Sequence, residues 1–340
     1  MAIMTRLGAR LRAASTLIPA VPLALLSLTG GPAEAQITSD QLHQIRSSIS
    51  NRIEALTILG GDFGFAGASL TLSGEMLPGE RADESLRGTK FGGAGDIGDP
   101  KPLGDSAIGW QGTVQGDMGH LDWTDDLHSG LLAGDRSKFT ANAIEFGGGA
   151  RFWFGKALSI APTVMGMYGH ISNQYYPQSD FAQTNISGLR QLGIVDWHVN
   201  VWSVRPAVNI QYLIDVDRWV VTLSSDLTYF HTEGFNRSDS QVQVGGNSGF
   251  VTNKVDVDVP LGVRIAGHEL KTGGYVGRTD LLGHLESGLG VQHLNELHSR
   301  LVLDYRNQLW KLDWIGMGTS YIWGTGIHGW AAGVDVKFRF

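Results

Sequence analysis

The sequence predicts an all-β fold, a 12-stranded antiparallel transmembrane β-barrel with a short N-terminal α-helix that we expect in the lumen. Three observations predict it: the composition, an export signal at the start, and an alternating pattern that runs to the last residue. Glycine accounts for 47 of 340 residues, about twice its usual share, and charged residues for only 17%. The chain has no cysteine, which excludes disulfide frameworks and Cys-ligated metal sites.

The first 35 residues have the order of a secretory signal. Arg6, Arg10 and Arg12 precede an apolar stretch at 17–28, and Ala33-Glu34-Ala35 supplies a small-residue cleavage site. We predict cleavage after Ala35. The net charge of −7 becomes more negative when this basic leader is removed, so we expect no nucleic-acid partner.

The end of the chain alternates with a period of two, which places successive side chains on opposite faces of a strand. One face is apolar and the other is charged. In a soluble sandwich the large apolar side chains point to a packed core. In a barrel with lipid outside and water inside, the apolar face meets lipid and the charged face meets water. The apolar set is Trp330, Ala332, Val334, Val336, Phe338 and Phe340, and the charged set is Asp335, Lys337 and Arg339.

Similar segments of about ten residues, separated by turn residues, recur upstream and are typical of a transmembrane barrel. Short and long links alternate, as expected for short periplasmic turns and longer outer loops. Six of the ten tryptophans lie at predicted strand ends, where interfacial aromatic girdles occur. The predicted strands are 62–73, 86–97, 106–118, 139–154, 157–169, 200–214, 218–231, 252–267, 270–281, 297–308, 310–323 and 330–340.

One helix is predicted from Thr38 to Leu59, with Thr38 and Gln41 forming a capping box. The chain therefore divides into a signal peptide (1–35), a helix with its link (36–61) and the barrel (62–340). At roughly 30 Å the helix is long enough to cross the lumen, and a helix on the periplasmic surface is the alternative. Its apolar stripe is Leu42, Ile45, Ile49, Ile53 and Leu56.

These features resemble the translocator barrels of autotransporters. The runs 253–262 and 274–281, with Tyr321-Ile322-Trp323-Gly324 and the closing Gly329-Trp330, resemble more narrowly the solitary outer-membrane autotransporter barrels. The resemblance implies a Gram-negative outer membrane, periplasmic chaperones, and insertion among outer-membrane lipids by the barrel assembly machinery, with Phe338 and Phe340 as the assembly signal. Only a helix and a link precede the predicted barrel, so we expect no secreted passenger. The oligomeric state stays open.

One segment carries candidate catalytic residues. Residues i and i+2 of a strand share a face, so His170 can act as a general base for Ser172, with Asn185 orienting the imidazole. The sequence His170-Ile171-Ser172-Asn173 is similar to a motif of outer-membrane phospholipase A and of the lipid A deacylase. It departs from the phospholipase pattern at Gln174 and Tyr175. A polar strand end is the alternative interpretation.

The remaining candidates are charges of both signs that we predict to line the lumen. They favour either a narrow or gated solute pore, or a structural plug in which they pair with the helix. The alternatives to a pore are a surface barrel whose loops bind an extracellular partner, and a lipid hydrolase that uses His170 and Ser172. We expect no cofactor and no metal site. The predicted lumen residues are Asp256, Asp258, Arg264, Arg278, Asp280, Arg300, Asp304, Arg306, Asp335, Lys337 and Arg339.

Overall fold

The protein is described from a computed structural model covering residues 39–62, 68–74, 83–127, 134–305 and 312–338. Twelve antiparallel strands in these residues form a closed barrel, in which each strand pairs with its neighbours in sequence and β1 pairs with β12. None of the described helices is long and apolar enough to cross a membrane. The elements are α1 (Ser39–Asp62), β1 (Ala68–Gly74), β2 (Asp83–Pro102), β3 (Ile108–Asp126), β4 (Arg136–Phe154), β5 (Leu158–Tyr176), α2 (Asp180–Gln191), β6 (His198–Val216), β7 (Trp219–Phe235), β8 (Gly245–Ile265), β9 (His268–Gly283), α3 (His284–Leu289), β10 (His293–Asp304), β11 (Leu312–Gly324) and β12 (Ile327–Phe338).

The predicted fold class is confirmed, and the strand positions agree apart from their ends. Several strands extend further at the end that carries the long connections: β5 runs to Tyr176, whereas the prediction stopped at 169. Beyond that point both faces are polar or mixed, so the lipid-facing alternation used for the prediction no longer marks the strand. The hydrogen-bonded ladder continues regardless, since Ser172 still pairs with His198.

The two faces of the wall follow the predicted parity in most strands. Leu227, Val255 and Trp330 are exposed on the outer surface, as a lipid-facing side requires. Inward neighbours such as Phe230 and Ala331 are buried. A soluble barrel would bury the larger apolar side chains inside; this chain exposes them because lipid, and not water, covers the outer wall.

The two ends of the barrel differ in the length of their connections. At one end three of the links, 155–157, 217–218 and 266–267, have only two or three residues. At the other end the longer links include 177–197, which contains α2, and 284–292, which contains α3. By the rule for bacterial barrels, the end with long links is extracellular; it is called the outer end below.

The helix α1 lies inside the barrel and runs inward from the outer end. Near its start, the Arg46 side chain donates to the backbone carbonyl of Leu192, in the link that follows α2. Near its end, Thr57 lies beside Gly169, well below the outer end of β5. The chain therefore passes from the outer mouth into the lumen before it enters the wall as β1.

Candidate functional site

The second half of α1 is enclosed by the outer half of the barrel wall. Every residue from Ile53 to Leu59 is buried, with Glu54 and Thr57 included. A helix on a surface would leave one face exposed, so burial on all sides reflects enclosure by the wall. The surrounding inward-facing residues in the same apolar cluster include Trp123, Phe139, Ile171, Phe230, Leu281 and Leu285.

Arg52 joins α1 to the wall at β3. Its guanidinium Nη1 lies 2.7 Å from Oδ2 of Asp125, and both side chains are largely buried. The same guanidinium lies 4.7 Å from the centre of the Trp123 ring. The guanidinium is stabilised by both the aromatic ring and the carboxylate, and both interactions are stronger where water is excluded. This pair holds one side of the helix.

Glu54 joins α1 to β8 and α3 on another side of the helix. Its carboxylate is fully buried and accepts hydrogen bonds from Ser248 Oγ at 2.7 Å and from His284 Nδ1 at 2.8 Å. The hydrogen bond to Glu54 raises the pKa of His284 above its ordinary value, against the opposing effect of burial. Gly246 makes the contact possible, because a Cβ there would lie 2.0 Å from the His284 ring.

The first half of α1 contacts the outer link between β5 and β6. Leu42 and Ile49 pack against a small apolar cluster that includes Leu189 of α2. Asp135 fastens this link to the wall, since its buried carboxylate accepts hydrogen bonds from Tyr175 and from the Ser179 backbone and hydroxyl. The first half of α1 therefore packs on a link that is itself attached to the wall.

Below the helix, the inward-facing charges are arranged in cross-strand pairs. Arg300 contacts Asp256 and Asp258 at 2.6 Å each, on the face of the wall opposite to the exposed Val255 and Leu301. Asp304, also predicted to line the lumen, lies 2.5 Å from Lys271. Three further pairs, Glu145–Arg205, Asp96–Arg151 and Lys90–Asp117, line the same interior.

Two of the predicted lumen residues face outward instead. Arg278 and Asp280 share the face of the exposed Val276 and Leu282, and the guanidinium lies 2.7 Å from the Asp280 carboxylate. The register fixes this, because Val276 stands opposite Val255 of β8 and Leu297 of β10, both exposed. The prediction was wrong because charge alone assigned the face in a segment where apolar residues occur at both parities.

The other predicted lumen positions are only partly described. Arg264 is exposed at the inner end of β8, opposite Glu269. Asp335, Lys337 and Phe338 are backbone positions of β12. Arg306, Arg339 and Phe340, together with the signal sequence, lie outside the described residues.

The candidate catalytic residues are only partly brought together. His170 and Ser172 do share the outer face of β5, since the intervening Ile171 is buried in the lumen. No hydrogen bond joins these two side chains in the structure. Asn185 lies in α2, where its side-chain amide donates a hydrogen bond to the Phe181 carbonyl of its own helix. The partner of His170 is Asn200, on the adjacent strand β6, at 2.7 Å.

Asp125 was not predicted as a partner of the helix, because it lies beyond the predicted strand 106–118 and its position on the lumen face could not be inferred. Sequence analysis also missed Ser248, His284 and Asn200, which no motif distinguishes. Each is placed by strand register, and one-dimensional spacing carries no information about which strand lies next to which helix.

Comparisons with known proteins identify the family. The family model described as "Solitary outer membrane autotransporter beta-barrel domain" matches residues 102–332, more than half of the chain. No curated protein matches the sequence.

Among solved structures, the fold is similar to the beta domain of the Bordetella autotransporter BrkA, with 12% identity, a TM-score of 0.51, and 81% of this chain and 97% of that chain covered. It is also similar to the transport unit of the autotransporter AIDA-I from Escherichia coli, with 11% identity, a TM-score of 0.54, and 86% and 98% covered. These likenesses show the fold alone. The family match and the closed barrel together show that this chain belongs to the solitary outer-membrane autotransporter β-barrel family and lies in the outer membrane of a Gram-negative bacterium.

Proposed function

We propose that the mature protein is a narrow, gated solute pore whose gate is α1. The observation that carries the proposal is the pair of polar attachments at mid-helix, Arg52 to Asp125 and Glu54 to Ser248 and His284. A helix that served only as core would be held more firmly by apolar contacts. Buried polar attachments are satisfied only in one docked position, and so they define a closed state.

The inner half of the lumen supports a pore rather than a solid barrel. Its charges are of both signs and paired across strands, as in the cluster of Arg300, Asp256 and Asp258. Such a lining favours the passage of small polar solutes over apolar ones. The outer half, in contrast, is apolar around α1, so displacement of the helix is the step that would connect the inner half with the exterior.

Conductance in planar bilayers tests the proposal. Deletion of 36–60 should give a steady conductance well above that of the intact protein, whereas the intact protein should show only brief openings. Folding of the deletion variant is checked by its heat-dependent mobility in detergent gels. A folded deletion variant that conducts no better than the intact protein would refute the gate.

A reversible lock gives a sharper test in the full-length chain, which has no native cysteine. A Cβ at Gly169 would lie 3.4 Å from the Thr57 methyl and 2.9 Å from a Val201 methyl. The variant Thr57→Cys/Gly169→Cys/Val201→Ala therefore has room for a disulfide of ordinary geometry between α1 and β5. Oxidation should abolish the openings and reduction should restore them. Openings that persist in the oxidised protein would mean that solute passes without movement of α1.

A further inference from the structure

We propose that Ser172, His170 and Asn200 form an esterase site on the outer wall of the barrel, directed at glycerophospholipids in the outer leaflet. His170 is the general base, Ser172 the nucleophile and Asn200 a positioning residue. The site faces away from the lumen and does not involve α1, so it is independent of the proposed pore.

Among the described residues, a pair formed by an outward-facing histidine and an asparagine occurs three times on the barrel wall. In each case an outward-facing histidine uses Nδ1 to contact the amide oxygen of the asparagine directly opposite on the next strand. The three pairs are His120 with Asn142 at 2.9 Å, His170 with Asn200 at 2.7 Å, and His231 with Asn247 at 3.0 Å. The register places each pair side by side.

The two sister sites show what the other ring nitrogen faces. His120 Nε2 lies 3.6 Å from the carboxylate of Asp122, two residues further along its strand. His231 Nε2 lies 3.4 Å from the carboxylate of Glu233, again two residues further. A histidine held in this way therefore directs Nε2 toward the side chain at i+2. At His170 that side chain is Ser172, so the same arrangement pairs the imidazole with a nucleophile.

The contact with Asn200 also sets the tautomer of the imidazole. An amide oxygen accepts hydrogen bonds and cannot donate them, so Nδ1 of His170 carries a proton, and in the tautomer with Nδ1 protonated the lone pair lies on Nε2. Nε2 is then the atom that can take a proton from the Ser172 hydroxyl. This division of roles between the two nitrogens is the one required for general-base activation of a serine.

The position on the wall selects the substrate class. Tyr168, immediately below His170 on the same face, stands opposite Trp202 of β6, and both rings are exposed. Exposed aromatic residues at this height mark the boundary between acyl chains and headgroups. The ester groups of a glycerophospholipid lie at that boundary, where water is also available for deacylation.

The reaction is a two-step acyl transfer. Ser172 Oγ attacks the ester carbonyl carbon and its proton passes to His170 Nε2; the carbon–oxygen bond to the glycerol breaks and the departing oxygen takes that proton. Water then attacks the acyl-serine, giving one proton to Nε2, and the proton returns to Ser172 Oγ as the fatty acid leaves. One ester and one water become one acid and one alcohol.

A fluorescent fluorophosphonate, which reacts with activated serines, tests the site in the full-length folded protein in detergent micelles. The wild type should be labelled, Ser172→Ala should lose the label, and His170→Ala should react about a hundredfold or more slowly. Hydrolysis of phosphatidylethanolamine in mixed micelles should follow the same order. His120→Ala is the matched control, because its ring contacts an asparagine in the same way but has Asp122 in place of the serine, and its rates should equal those of the wild type.

The role of Asn200 is tested separately from folding. Asn200→Ala should slow labelling, while Asn142→Ala at the sister site should not. Asn200→Asp keeps an acceptor for Nδ1 and should recover labelling, with the midpoint of the pH–rate profile moved to higher pH, since a carboxylate stabilises the protonated imidazole. A folded wild type that neither labels nor hydrolyses lipid, or a label that survives Ser172→Ala, overturns the proposal.

Discussion

Substitution of Glu54 by alanine should release α1 from the lumen. The carboxylate is fully buried and accepts two hydrogen bonds, from Ser248 and from His284. Hydrogen bonds to a charged group contribute about 1.5–3 kcal/mol each. The substitution also removes the cost of burying the carboxylate, so the net loss of docking free energy should be about 2 kcal/mol. Because about 1.4 kcal/mol corresponds to a factor of ten, the undocked population should rise about thirtyfold.

The assay is modification of a single cysteine by a membrane-impermeant maleimide. Thr57→Cys places the thiol at a position that is 1% exposed when α1 is docked, so the labelling rate reports the undocked fraction. The control is Glu233→Ala, which removes a carboxylate that also contacts a histidine but lies exposed on the outer surface. Equal labelling of Thr57→Cys with and without Glu54→Ala would show that this carboxylate does not hold the helix.

Three further outcomes are expected. Since the pKa of His284 is raised in the folded protein, its contribution is complete below the ordinary value of 6.5 and is lost as pH rises through the raised value. The labelling rate of Thr57→Cys, divided by that of the unfolded protein at the same pH to remove the effect of thiolate formation, should therefore increase as pH rises above 6.5, and His284→Gln should flatten this dependence. Arg52→Ala leaves Asp125 buried without this partner and should weaken docking by about 2–3 kcal/mol, seen as faster labelling that Arg52→Lys partly corrects. Val334→Lys introduces a charge on the lipid-facing side of β12 and should destabilise the barrel by about 2–4 kcal/mol if the residue lies near the midplane, measured by urea unfolding in micelles; full stability would mean that the face is not lipid-facing.

The alternating pattern in the sequence was sufficient to predict the barrel wall, but not the side-chain contacts that the wall makes. The alternation at 330–340 and 255–265 reports directly which solvent each face meets, because lipid and water impose opposite side chains at a period of two. The strand order followed as well, since short links force consecutive strands to be neighbours. The outer ends of the strands could not be predicted in this way, because their outer face meets water there and their lumen face packs against α1, so the alternation imposed by lipid and water is lost.

The sequence by itself therefore determined a twelve-stranded barrel, its lipid-facing side in most strands, and one amphipathic helix before it. Tertiary structure alone decided that α1 enters from the outer mouth, that Glu54 meets Ser248 and His284, that Arg278 faces outward, and that Asn200 rather than Asn185 contacts His170. The physical reason is common to all four. Each depends on which residues of distant segments lie side by side, and that is set by register and by closure of the barrel.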